Sequence, residues 1–173
     1  RLDENAVDIL DKQVENRARY IETQLQQAQD LTGLSSFIND TARQMLDEGT
    51  ISLDTLDSTG GESLPLLEAA APRLLKALRA KQVSGVFLIL NTHDFTDRTS
   101  GDRLPCVYLR DLDPEAASSA DNSDVMFERA PAELVQAFGI TTDKAWTPAQ
   151  QYLDVEEDAF YVRPFQVAYE SGE

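Results

Sequence analysis

Cysteine and histidine are almost missing from this chain: Cys106 and His93 stand alone among 173 residues. One cysteine permits no disulfide within the chain and no thiolate cluster for zinc. Set in the apolar run "CVYL", Cys106 reads as a small buried strand residue. Its isolation fits the cytoplasm and equally fits exported bacterial domains that manage without disulfides, so it does not fix the compartment. The lone histidine lies in "NTHDFTD" beside Asp94 and Asp97, a trio of the right chemistry for a metal or for acid-base work. No second histidine, glycine-rich phosphate loop or nucleophile motif accompanies it, so the trio is read as a solvated loop. No catalytic residue, metal ligand or cofactor is assigned. A run of about eighteen apolar residues and a signal peptide are also lacking. Basic residues are scarce too: 15 against 31 acidic ones give a net charge of -16. That charge repels nucleic acid phosphates and anionic lipid, and nucleic acid is not expected as a partner.

Helical patterning is what the chain has in quantity at its start. Val7, Leu10, Val14, Ala18, Ile21, Leu25 and Ala28 recur at spacings of three and four, a single apolar stripe. The stripe continues less regularly through Leu31, Leu34, Phe37, Ile38, Met45 and Leu46, with Gly33 as a bend and Gly49 as a stop. A helix of about forty residues would span roughly 60 Å, more than a compact domain of this size needs, so part of it is expected to project or pair. The start at "RLDENAVDIL", already in helical pattern, suggests a segment of a longer chain.

Beyond "DSTGGES", Ser63 is placed to cap a second helix with Pro65 in its first turn. Pro72 lies deeper, which predicts a kinked helix or two short ones ending near Lys81. "VFLIL" is apolar on both faces and reads as a central strand covered on both sides. "CVYLR" is its return strand, with Val107 and Leu109 on one face and Cys106, Tyr108 and Arg110 on the other. Phe87, Ile89, Val107 and Leu109 are expected to be buried, in neighbouring antiparallel strands. Pro131 to Phe138, closed by Gly139, reads as a short helix. The tail "AFYVRPFQVAYE" has β composition and reads as an edge strand or two short ones.

The acidic loop of Asp111, Asp113, Asp121, Asn122 and Asp124 carries oxygen ligands without the spacing of a calcium-binding hand, and its Asp and Asn residues read as turn formers and caps. Arg110 ends a half-apolar strand, so its guanidinium must be paired or face a wet cavity. Asp111 and Asp113 are the nearby carboxylates. Alternatively, Tyr108 and Arg110 form an aromatic wall and a forked donor for a small carboxylate-bearing ligand, with Trp146 and Tyr161 completing the wall. The candidate ligand-binding set is thus Tyr108, Arg110, Asp111, Trp146 and Tyr161.

The order of "NAVDILDKQVENRARYIETQL", "SGVFLILNT", "VYLRDLDP", "DNSDVMFERAP" and "FGITTDKAWTP" resembles the extracellular sensor domains of the double Cache type. These PAS-like domains belong to bacterial membrane receptors, sensor histidine kinases and diguanylate cyclases among them. The resemblance covers nearly the whole chain. It implies an α+β fold: a long N-terminal signalling and dimerisation helix, residues 1–48, and a membrane-distal PAS-like (Cache) antiparallel sheet flanked by helices, residues 49–173. It further implies a non-catalytic, ligand-binding role on the extracellular side of the bacterial cell membrane, with a small-molecule ligand and a homodimer through the N-terminal helix. Amino-acid-binding members carry a tryptophan and tyrosine close to the arginine, where this chain reads "YLRDLD", so an amino acid ligand is not implied. The chain also stops at "VAYESGE", where such a domain would continue. A helical adaptor that uses the N-terminal stripe as its binding surface is the alternative.

Overall fold

A computed structural model describes residues 2–29, 31–114, 122–153 and 159–172. The chain divides into two compact units, Arg1–Gly33 and Leu34–Glu173.

The first unit is a single helix, α1 (Leu2–Gln29). No proline or glycine interrupts it, and Val7, Leu10, Val14, Ile21 and Leu25 are 47–66% exposed along it. The forty-residue helix expected from the stripe is instead two, because α2 (Thr32–Asp47) is a separate element. Leu34, Ile38, Ala42, Met45 and Leu46 of α2 pack against the core of the second unit, and Arg73 lies 4.5 Å above the Phe37 ring. The boundary between the compact units lies between Gly33 and Leu34. Gly49 does end α2, with the left-handed φ of 71° that glycine adopts without strain.

The second unit is α+β. After α2 come α3 (Leu64–Lys81), β1 (Gly85–Ile89), a 3₁₀ turn at Phe95–Asp97, β2 (Arg103–Asp111) and β3 (Val125–Arg129). α4 (Ala132–Phe138), β4 (Thr141–Thr147), β5 (Ala149–Gln151) and α5 (Ala159–Ser171) follow. The strands form one sheet in the order β1-β2-β3-β4, and β5 pairs with the first residues of β2. β1 and β2 are antiparallel neighbours, with Val86 opposite Leu109 and Leu88 opposite Val107. A sheet flanked by helices with a helix at the N-terminus is consistent with a PAS-like arrangement. It is mixed rather than wholly antiparallel: α4 carries the chain back across the sheet, so β4 runs parallel to β3.

One face of the sheet, Val86, Val107, Leu109, Val125 and Phe127, packs under Leu66, Leu67, Leu74 and Leu78 of α3 and Leu134 of α4. Each fully buried side chain of this size contributes about 1.5–3 kcal/mol. That packing explains why α3 runs unbroken through Pro72, which was expected to kink or divide it: the buried residues lie on both sides of the proline. The other face carries a smaller cluster of Phe95, Leu104, Tyr152 and Val162, with Ile89 and Phe165 against it.

Two expectations about strands are corrected. β1 is the edge of the sheet and not a central strand, so Phe87 remains 43% exposed and Ile89 is only partly buried, while Val107 and Leu109 are fully buried. The tail is helix α5, not strand. Its Val162 is buried and Phe165 partly so, three apart on one face, and Pro164 sits beside them in the helix. Burial of that face outweighs the β composition of the segment.

Candidate functional site

Alternation along β2 places Tyr108 and Arg110 on the same face, as their spacing requires. The structure gives both of them protein partners. The Tyr108 ring lies over Gly85, so close that a Cβ there would stand 2.8 Å from it, and it meets the Phe87 ring edge-on at 5.8 Å. Burial, followed by the Glu128 charge, raises the pKa of its phenol. Arg110 reaches Glu128 at 3.3 Å and Asp143 at 3.4 Å on the next strands. Its pairing is therefore across the sheet, and not with Asp111 or Asp113 as the local sequence suggested.

The rest of the expected set is not gathered there. Asp111 is on the opposite face, buried, and accepts from Arg79 at 2.7 Å. Trp146 packs against the cluster beneath α3, its indole Nε1 buried without a hydrogen-bond partner among the described residues. Tyr161 lies in α5, and its side chain is outside the described residues. Of the four whose side chains are described, Tyr108 and Arg110 share one face, while Asp111 and Trp146 lie on the α3 side of the sheet.

The acidic loop holds a guanidinium. Arg79, in the last turn of α3, donates to Asp111, to both oxygens of Asp124 at 2.9 and 2.5 Å, and to Asn122 at 3.5 Å. Hydrogen bonding to Asp124, ahead of any other influence, raises the Arg79 pKa. Asp121 lies outside the described residues.

His93 is not simply a solvated loop residue. Its Nδ1 lies 2.7 Å from the buried carboxylate of Asp57 and 3.0 Å from the Thr92 hydroxyl. Asp57 also accepts from the Thr92 N–H at 3.1 Å, from its hydroxyl at 2.9 Å and from Arg98. Burial raises the Asp57 pKa, but hydrogen bonds from His93 and Thr92 and the Arg98 charge outweigh it and bring it down to about 2. Among the described residues, the side-chain contacts of His93 with Asp57, Thr92 and Arg98, the last at 3.4 Å, all fall on Nδ1. The cluster ties the loop after β1 to the segment before α3.

A cleft of about 350 Å³ opens elsewhere, beside the N-terminus of α3. Pro105, Pro131 and Pro148 supply rigid walls, and Thr59, Ser63, Arg103 and Glu133 supply polar side chains, with the Gly60–Gly61 turn at its margin. Its size is that of small-molecule sites, which are roughly 300–1,000 Å³. No local sequence pattern marks it, since its lining comes from four separated segments. A shallower groove of about 400 Å³ runs along α5 past Leu53, Thr92 and Tyr169, and a dimple of about 160 Å³ lies between Phe87, Phe95 and Phe165. None of these three is lined by Tyr108 or Arg110. Comparison with family models, curated proteins and solved structures finds no match to the chain.

Proposed function

We propose that this chain is the extracellular ligand-sensing region of a bacterial transmembrane signal-transduction receptor. The task is binding, not turnover: a small molecule is held by the α+β unit, and its presence is relayed through α1, which pairs with α1 of a second copy. The observation that carries this reading is the combination of a helix that forms its own unit with an α+β unit containing a cleft of ligand size. The likeness of "YLRDLDP" and its neighbours to double Cache domains supports it. The coding sequence on either side of the segment tests it. A membrane span ahead of Arg1 and another after Glu173, leading to a kinase or cyclase region, is the expected result, and flanking sequence without spans contradicts it.

The half-exposed stripe of α1 favours a second reading, a helical adaptor whose partner covers Val7, Leu10, Val14 and Ile21. Flanking sequence lacking membrane spans, with a heterologous protein protecting α1 from hydrogen exchange, would place the adaptor ahead.

A further inference from the structure

Resting on the sensor reading, we infer that the ligand is a small monocarboxylate and that its site is the cleft at the N-terminus of α3, not the Tyr108–Arg110 face. Three observations converge there. Ser63 is 3% exposed and lines the cleft, yet its hydroxyl does not cap the helix. The cause is local. Ser63 has a helical backbone, φ -85° and ψ -7°, rather than the extended one of a capping serine, and Pro65 removes one N–H from the first turn. The N–H groups of Leu66 and Leu67 are already bonded to the Ser63 carbonyl, at 3.1 Å each. The hydroxyl, without a partner among the described residues, is left to bond whatever occupies the cleft.

Arg103 is the second observation. In a chain of net charge -16, a guanidinium would be expected to find a carboxylate, as Arg79, Arg98 and Arg110 do. Arg103 is exposed on the cleft with no ion pair or side-chain hydrogen bond among the described residues. Its fork is suited to a carboxylate, and the positive end of the 18-residue α3 dipole favours the same charge. Glu133 is the third. It is the other charge in the lining, and it repels a second carboxylate while the three prolines accept a short apolar body. A monocarboxylate satisfies all three conditions, with its oxygens on Arg103 and Ser63.

Titration of the ¹⁵N-labelled chain with sodium propionate, against sodium chloride at equal ionic strength, tests the site. The expected result is saturable shifts centred on the Gly60, Gly61 and Ser63 amides, weakened about tenfold or more by Arg103→Gln and less by Ser63→Ala. Arg110→Gln should leave them unchanged, and succinate should bind more weakly than propionate. Linear shifts equal to those from chloride, indifference to Arg103→Gln, or succinate binding as tightly as propionate would overturn the proposal. No saturation by roughly 50 mM propionate would do the same. Loss of binding in Arg110→Gln with the cleft amides unmoved would overturn the cleft while leaving the sensor reading intact. If no small molecule of any class binds, both fail.

Discussion

Asp57 concentrates more hydrogen bonds than its neighbours in the loop, and its depressed pKa makes a pH-dependent contribution to stability. A carboxyl moved from 3.8 in the unfolded chain to about 2 in the folded one stabilises by about 2 kcal/mol, because each unit is worth about 1.4 kcal/mol. That contribution is fully present above about pH 4 and is lost as the pH falls through about 2. Asp57→Asn should therefore lower unfolding free energy by about 2–3 kcal/mol at pH 7, with the gap to the wild type narrowing below pH 4. Urea titrations at several pH values check this, and a gap that stays constant down to pH 3 would assign the loss to packing alone. Arg79 is the counterpart on the α3 face. Arg79→Leu strands the buried Asp111 carboxylate and should cost roughly 3 kcal/mol in the same assay. Burial pushes the Cys106 thiol up to about 12, so a disulfide reagent at pH 8 should modify it only as fast as the protein opens. Prompt modification in native buffer would contradict its place in the core.

At the scale of elements, those with local signatures were legible and those fixed by distant contacts were not. α4 was bounded by Pro131 and Gly139, and Gly139 does close it in the left-handed conformation at φ 62°. The β1–β2 pairing followed from two apolar runs joined by a polar connection. That β1 is an edge was not legible, because Phe87 and Ile89 are as apolar as the covered face; they meet Phe160 and Phe165 of α5, itself hidden in a segment of β composition. α5 was not legible because the β-rich composition of "AFYVRPFQ" masks the three-residue spacing of Val162 and Phe165. Of the candidate site, the shared face of Tyr108 and Arg110 was readable from period-two alternation. The partners of Arg79, 32 and 45 residues away, were not, nor was the cleft. α1 carries the prediction proper to this scale. A helix of 28 residues with an exposed apolar stripe gains stability when that stripe is covered, so its helicity should rise with protein concentration if it pairs with a second copy. Concentration-dependent ellipticity at 222 nm, absent in Val14→Ser/Ile21→Ser, is the expected result. Ellipticity independent of concentration, with a monomeric sedimentation profile, would remove the dimer from the account.

At the scale of the whole molecule, the α+β unit carries a cleft lined from both sides of its sequence, and the preceding helix forms a unit of its own. Such a division suits a receptor in which one part binds and another transmits, since a ligand alters signalling only through a difference in its affinity for two states. The sensor reading depends on the α+β unit binding a small molecule. Thermal unfolding of the chain in the presence of separate small carboxylates, amines, sugars and nucleosides measures this most directly. A true ligand at a hundred times its dissociation constant stabilises by about 2.7 kcal/mol and should raise the midpoint by roughly 5–10 °C, saturably, with small monocarboxylates prominent among the active compounds. Midpoints that no compound raises in a saturable manner would contradict the claim that this chain is a ligand sensor.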